Sequence, residues 1–203
     1  MFTNKTLNEL RNMDVTLSYT NDLSSKEKQD VQYMFETNWE SELRSYKKKK
    51  RDKEQVFIDT LRGYMCELAI NRCVTNCRDN APVTKGAEGL SYTQRKTDKI
   101  IDGHRIEVKS WSSSYINVMP MTKSQSNSIS SAVHMNDYFL MMSWTQIKKL
   151  RYQIKPYCLI KAKEIYKGWK VIDWKYSNLG IDISKFKDYN DCIMLDKGIL
   201  NEI

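Results

Sequence analysis

Two carboxylates and one lysine in the segment 98–109 have the types and spacing needed for metal-assisted chemistry. Asp102 and Gly103 favour a two-residue hairpin turn, because both central positions of that turn need positive φ. With this turn, Asp98 pairs directly with Glu107 across two strands. Side chains alternate along a strand, so Lys109 lies on the same face as Glu107. The sequence therefore predicts two acids and a lysine pointing the same way.

Such a grouping has two interpretations. Directly opposed residues have β-carbons about 4.5–5.5 Å apart, and like charges there destabilise the pair. A divalent cation such as Mg²⁺ would remove the repulsion, and Mg²⁺ prefers oxygen ligands. A charged lysine is no ligand, but it could hold a water or neutralise charge developing on a phosphate. The alternative is a set of exposed surface charges, neutralised by Lys96, Lys99, Arg105 and Lys109.

A third carboxylate, Glu67, lies within a predicted helix over residues 54–74. Apolar residues mark two sides of this helix, which predicts that it is largely buried. The two stripes are Ile58, Leu61, Met65 and Leu68, and Val56, Ile70 and Val74. Glu67 falls on the second stripe, at separations from its ends close to whole helical turns. A carboxylate there is costly unless a cation meets it, or unless it lies at the edge of the stripe in water.

The elements before this helix are less regular. Residues 1–23 lack periodicity and are predicted to be a polar lead-in. Ser24 and Glu27 resemble a capping box, which predicts a second helix starting there and reaching about residue 46. Six basic residues and one acid fill positions 47–53 between the two helices. This run is interpreted either as a solvated turn or as a phosphate-contacting segment.

Strands and helices mix after residue 77. A loop over 77–92 precedes the hairpin, and a strand (115–119), a polar helix (122–134) and an apolar strand (137–144) follow it. We expect a short helix over 145–154, then strands over 157–162 and 169–174, with no firm prediction from residue 177. This mixture predicts α/β or α+β layers around one sheet, and we expect an α/β fold with helices flanking a central sheet.

Length, charge and cysteines limit the class of protein. The 203 residues predict one domain, with an N-terminal helical addition (1–50), a core (51–145) and C-terminal strands and a tail (146–203). The formal net charge of +8 favours a polyanionic partner, nucleic acid before membrane. No secretory signal or bilayer-length apolar run is present. Five cysteines without paired zinc-type spacing suggest a reducing, cytoplasmic compartment.

The order of these elements resembles the PD-(D/E)XK nuclease superfamily. Its pattern is an acid on a helix, an Asp on a strand, and (D/E)-X-K on the next strand. Here these are Glu67, Asp98 and Glu107-Val108-Lys109. A strand, a polar helix and an apolar strand follow in the same order, so the resemblance covers roughly residues 55–145.

The sequence departs from the superfamily pattern at two points. Thr97, rather than proline, precedes the strand Asp. Gln125 is followed four residues later by Ile129, so the Gln-X-X-X-Tyr of the exonuclease-like branch is missing. The second departure points away from a recombination-type exonuclease.

The resemblance implies a restriction-endonuclease-like mixed sheet and a role for each motif residue. Asp98 and Glu107 would bind Mg²⁺, for which Mn²⁺ could substitute, and the Val108 carbonyl would be a third ligand. Lys109 would position the attacking water. Glu67 would orient the site or help a second metal. Gln125 and Ser110 would be helpers.

The resemblance also implies DNA as the partner and phosphodiester hydrolysis as the reaction. The expected enzyme is an Mg²⁺-dependent endonuclease, of restriction type or from a phage, and a homodimer that cuts foreign or host DNA in the cytoplasm. A structure-selective junction resolvase and a non-catalytic nucleic-acid-binding protein are the alternatives. The expected DNA-contacting residues are Lys48, Lys49, Lys50, Arg51, Arg95, Lys96, Lys123 and Gln125.

Overall fold

A computed structural model describes residues 1–44, 51–80, 97–114, 118–121, 123–173 and 179–196. The α-helices in these ranges are α1 (Asn4–Arg11), α2 (Ser25–Arg44), α3 (Lys53–Cys73) and α4 (Lys123–Val133). The first five strands are β1 (Val15–Ser18), β2 (Cys77–Asp79), β3 (Lys99–Ile101), β4 (His104–Ser112) and β5 (Val118–Met121). The later strands are β6 (Tyr138–Lys148), β7 (Arg151–Lys161), β8 (Trp169–Val171), β9 (Leu179–Asp182) and β10 (Cys192–Met194). Two 3-10 helices span Ala162–Gly168 and Ile183–Asp188.

The described strands form one large and one small sheet. The seven-stranded sheet has the order β1-β7-β6-β4-β3-β2, and β10 adds to β7. Strands β4 and β6 are parallel, whereas the other pairs in this sheet are antiparallel. The small sheet has the antiparallel order β5-β9-β8. The predicted α/β fold with a mixed sheet flanked by helices is therefore confirmed.

Alternate residues of β6 supply the cores on the two faces of the large sheet. Leu140 and Met142 pack with Leu61 and other residues of α3 in the first core. Phe139 and Met141 pack with residues of α4 and of the small sheet in the second. A strand buried on both faces reads as a continuous apolar run, as this one does.

Helix α3 lies centrally in the first core. Asp52 caps its N-terminus by accepting a hydrogen bond from the backbone N–H of Gln55 at 2.7 Å. Its residues Leu61, Met65 and Ile70 are fully buried. Its bounds, Lys53–Cys73, differ by one residue at each end from the predicted 54–74.

The hairpin of β3 and β4 has the predicted turn and register. Asp102 and Gly103 both have positive φ, at 49° and 81°. Lys99 pairs with Ile106 and Ile101 pairs with His104. The paired residues end at Lys99, so the predicted pairing of Asp98 with Glu107 is not part of the ladder. Asp98 lies directly before β3, and its backbone N–H donates to the Ile106 carbonyl at 3.0 Å.

The capping box of α2 is confirmed. The backbone N–H of Ser24 donates to Glu27 Oε2 at 2.7 Å, and the backbone N–H of Glu27 donates to Ser24 Oγ at 3.2 Å. Most of the basic run that follows this helix, together with residues 45 and 46, lies outside the described residues.

The prediction of a polar lead-in over residues 1–23 is wrong. These residues form α1 and β1, and Leu10 and Leu17 are buried in the first core. β1 pairs with β7 at one edge of the large sheet, with Val15 opposite Ile154. The first residues therefore contribute a strand to the large sheet and side chains to the first core. Two elements this short are stabilised by tertiary packing, which a pattern in the local sequence does not report.

The prediction of a short helix over residues 145–154 is also wrong. β6 continues to Lys148, and β7 begins at Arg151 after a tight turn in which Leu150 has a φ of 56°. Eleven-residue strands on both sides make this the longest hairpin of the described sheet. Among the described residues, no helix is long and apolar enough to cross a membrane.

Candidate active site

The predicted acids meet where β3 and β4 separate. β3 begins at Lys99, opposite Ile106, whereas β4 continues to Ser112 and pairs with β6 over its remaining length. Within the described ranges, one edge of β4 beyond Ile106 is therefore unpaired by another strand. We call this edge, with Glu67, Asp98, Glu107 and Lys109, the β4 notch.

Asp98 lies at the end of the β4 notch where β3 begins, and it bonds to β4 through both its backbone and its side chain. Its backbone N–H donates to the Ile106 carbonyl at 3.0 Å, and its Oδ2 accepts a hydrogen bond from the Val108 N–H at 2.7 Å. The N–H and C=O of one strand residue point to the same side. The Val108 carbonyl therefore faces the side on which Asp98 lies, as a third oxygen ligand would need.

Glu107 and Lys109 point away from α3, because Ile106 and Val108 pack into the first core. Glu107 is 4% exposed, and its Oε1 lies 2.5 Å from Lys109 Nζ. Burial by itself would lower the pKa of Lys109, but the charges of Glu107 and Asp98 outweigh it and raise that pKa above its usual value. Lys109 is accordingly a protonated cation at neutral pH.

Glu67 approaches the β4 notch from α3. Burial, followed by the charge of Asp98, raises its pKa to about 8, despite the opposing effect of Lys99. Glu67 is also near enough to Lys109 to contribute to the raised pKa of that lysine. The α3 acid, the strand acids and the lysine predicted from the sequence thus form one electrostatic group.

Lys99 is a fifth charged residue of this region that sequence reasoning did not place in the site. Its side chain is 1% exposed, and Nζ lies 3.5 Å from Glu67 Oε2 and directly contacts Asp79 Oδ1. Its position in the sequence could have indicated that it is buried. Lys99 lies two residues before Ile101, so both side chains share one face of β3, and Ile101 is in the core. Lys99 supplies the cation that a carboxylate on the buried stripe of α3 requires.

The residues at the β4 notch fit a hard divalent cation in donor chemistry. Asp98 and the Val108 carbonyl lie at the same edge of β4, Glu107 is the neighbouring residue of that strand, and oxygen donors of this kind suit Mg²⁺. Burial, and after it the charge of Asp98, raises the pKa of Glu67, so the ionised form of this acid is disfavoured unless a cation lies nearby. Within the described residues, no three His, Cys, Asp or Glu side chains already converge as a complete metal-binding group. Water ligands would therefore have to complete the coordination.

The other predicted residues lie apart from the β4 notch or outside the described part of the chain. Arg51 Nη2 lies 2.8 Å from the buried Glu42, and its Nη1 lies 2.9 Å from Asp59, so its guanidinium joins α2 to α3. Ser110 bonds to the Cys66 thiol, on the α3 side of β4. Lys123 and Gln125 lie in the first turn of α4. The remaining predicted DNA contacts, Lys48, Lys49, Lys50, Arg95 and Lys96, lie outside the described residues.

Comparison of the chain with protein-family models found no match, and comparisons with curated proteins and with solved structures found no significant match. The indications of function are therefore the geometry of the β4 notch and the resemblance in its motif.

Proposed function

We propose that this protein is a Mg²⁺-dependent DNA endonuclease with a restriction-endonuclease-like fold and a PD-(D/E)XK-type site at the β4 notch. The observation that supports it most strongly is the meeting of Glu67, Asp98, Glu107 and Lys109 at one strand edge. These residues come from three elements and are separated by up to about forty positions in the sequence. Three acids, one of them the buried Glu107, that gather around one lysine are costly to a fold without a cation or a function to offset them.

Each residue of the β4 notch has a separate role in this proposal. Asp98 and Glu107 hold the cation, with the Val108 carbonyl as the third protein ligand. A cation held by these residues would supply Lewis-acid chemistry, lowering the pKa of a bound water and offsetting negative charge on the phosphodiester. The Val108 N–H fixes the Asp98 carboxylate in place at 2.7 Å, so this ligand is positioned before the cation binds.

Lys109 acts as a charged group and not as a general base. Its pKa is raised above the usual value by Glu107 and Asp98, despite burial that would lower it, so it carries a proton throughout the neutral range. A protonated lysine donates hydrogen bonds to the attacking water and to a phosphate oxygen. It thereby positions the nucleophile and neutralises charge that develops during in-line attack.

DNA is the proposed substrate because the chain carries 33 basic residues against 25 acids. Such an excess supplies affinity for phosphates without sequence information. We place the enzyme in the cytoplasm, where a restriction enzyme or a phage nuclease would cut foreign or host DNA. The alternative, a structure-selective junction resolvase, would carry out the same phosphodiester hydrolysis on branched DNA.

A homodimer would let two sites cut both strands of a duplex about a two-fold axis. Light scattering of the protein with DNA and Ca²⁺ would measure its mass. A monomeric mass together with full double-strand cutting would contradict the dimer.

The test is cleavage of supercoiled plasmid and phage DNA in Mg²⁺, in Mn²⁺ and with chelator. Wild type should nick or cut only with metal, and Lys109→Ala should lose at least about 10²-fold in rate, since it removes transition-state charge stabilisation. Lys155→Ala is the matched control. Lys155 is also a lysine of the large sheet, on β7, but it pairs with Asp14 at 3.0 Å and is not part of the β4 notch. Wild type that binds DNA but cuts nothing would favour the non-catalytic alternative.

A further inference from the structure

Lys99 is the most buried of the charged side chains around the β4 notch, and the proposed mechanism does not use it. It is 1% exposed and lies on the face of β3 that is covered by α3. Its ammonium lies between Glu67 on α3, at 3.5 Å, and Asp79 on β2, which it contacts directly. A buried lysine persists only with such partners, because its desolvation is otherwise unfavourable.

Asp79 is held by donors on both oxygens. Asn71 Nδ2, on α3, lies 3.2 Å from Oδ1 and 3.3 Å from Oδ2, and Lys99 contacts Oδ1 as well. The Asn71 carbonyl in turn accepts from the Cys77 thiol at 3.6 Å. Asp79 is therefore fixed toward Lys99 by a network that involves no exogenous group.

The arrangement of Lys99 is that of a bridging cation. The ammonium lies between carboxylates from two elements, and the charge of Asp98, a proposed ligand of the first ion, also raises the pKa of one of them, Glu67. In two-metal nucleases, where the ions are about 3.5–4 Å apart, the second ion takes a position between carboxylates in this way. The ammonium already neutralises that position, and its charge would repel a second dication.

We propose that the Lys99 ammonium takes the place of a second divalent cation, so that the site binds one metal ion per chain. This inference rests on the proposed function for the first ion, at Asp98 and Glu107. Lys99 is then a positioning residue: it holds Glu67 at the edge of the site and balances the charge of Glu67 and Asp79. Removing the ammonium while keeping both acids should create a second cation site.

A purely structural ion pair makes a different prediction. In that case, loss of Lys99 would lower stability but leave the number of bound cations unchanged. Lys99→Met removes the charge and keeps an unbranched side chain in the core, whereas Lys99→Arg keeps the charge. Lys170→Met is a control elsewhere, because Lys170 pairs at 2.9 Å with the buried Asp182 in the small sheet.

The experiment counts Mn²⁺ bound to the full chain from the electron paramagnetic resonance signal of free Mn²⁺. It is run under nitrogen at pH 8.5, where Glu67 is mostly ionised. We expect one ion per chain for wild type, Lys99→Arg and Lys170→Met, and two for Lys99→Met. If Lys99→Met folds only when refolded in Mn²⁺, the count is made on that sample, and two ions are again expected.

Three results would overturn the inference alone. They are two ions in wild type, one ion in Lys99→Met, and a Lys99→Met protein that does not fold even in Mn²⁺. No bound ion in wild type would overturn it together with the metal-dependent function, so the two failures are distinguishable without measuring cleavage.

Discussion

Glu67 is the residue whose protonation reports on the β4 notch. Burial and the charge of Asp98 raise its pKa to about 8, so it is mostly protonated at pH 7 in the metal-free protein. A cation held by Asp98 would cancel part of that charge and lower the pKa of Glu67. Metal binding at pH 7 is then coupled to release of a proton.

We expect Mg²⁺ binding at pH 7 to release up to about one proton per chain, because the pKa of Glu67 falls when Asp98 holds the ion. Calorimetric titrations in two buffers with different ionisation enthalpies measure this number. Release should fall toward zero above about pH 9, where Glu67 is already ionised. Glu67→Gln should bind Mg²⁺ with almost no release, and equal release from this variant would show that another group supplies the proton.

The individual residues differed in how far the sequence could place them. Asp98, Glu107 and Lys109 follow from a local turn and the two-residue period of strands, which the sequence contains directly. The ion pair of Lys99 with Glu67 joins β3 to α3 across 32 positions, so it depends on how two elements pack. A buried lysine is rare enough that position alone did not predict it.

Among the elements, the hairpin of β3 and β4 sets the register that brings Asp98 to the edge of β4, where it bonds to Ile106 and Val108. Its turn depends on positive φ at Asp102 and Gly103. Asp102 also anchors the turn to the N-terminus, since its Oδ2 accepts from the Thr3 N–H at 2.8 Å and its Oδ1 accepts from Asn76 at 3.1 Å. The turn therefore joins the site to the element that the sequence predicted to be a polar lead-in.

Gly103→Ala should destabilise the fold by about 1 kcal/mol, because an alanine at a φ of 81° is strained. Gly63→Ala should have the opposite sign, stabilising by about 0.5–1 kcal/mol, because a glycine inside a helix is unfavourable. An added Cβ at Gly63 meets no atom within 4 Å. Urea unfolding of the two variants measures both effects, and equal changes would contradict the assigned turn.

Elements were predicted correctly where a local pattern specifies them, and wrongly where pairing with a distant strand does. α3 has a two-sided apolar pattern, and the α2 start has a capping box. The strand character of residues 145–154 is set by pairing of β6 with β7, and β1 is held by its partner across the sheet. Pairing of this kind overrides the local preference of a polar segment.

For the proposed function, the whole molecule would have to bind a polyanion at the β4 notch, and the net charge of +8 would supply the attraction. Binding that depends on phosphate contacts weakens linearly in log affinity with log salt, by about 0.9 per neutralised phosphate. Three adjacent members of the predicted DNA-contacting set are Lys48, Lys49 and Lys50. Other lysines, such as Lys155 and Lys161, already pair with acids within the protein.

Replacing Lys48, Lys49 and Lys50 together with Gln should weaken duplex binding and flatten the salt dependence by about 0.9 per lost contact. Fluorescence anisotropy with a labelled duplex in Ca²⁺, over a series of salt concentrations, measures both. The control makes the same charge change at Lys155, Lys161 and Lys167, which pair with Asp14, Asp191 and Glu164. An equal loss in both triple variants would mean that net charge alone, and not this segment, binds DNA.

We propose above all that Asp98 and Glu107 hold a Mg²⁺ ion and that the protein needs this ion to hydrolyse DNA. The most direct test is Mg²⁺-dependent nicking of supercoiled plasmid by wild type and Glu107→Gln, with DNA binding by each protein measured in Ca²⁺. We predict that wild type nicks only with metal, and that the variant retains DNA binding but nicks at least about 10²-fold more slowly. Nicking by wild type in chelator, or equal nicking by both proteins in Mg²⁺, would contradict the claim.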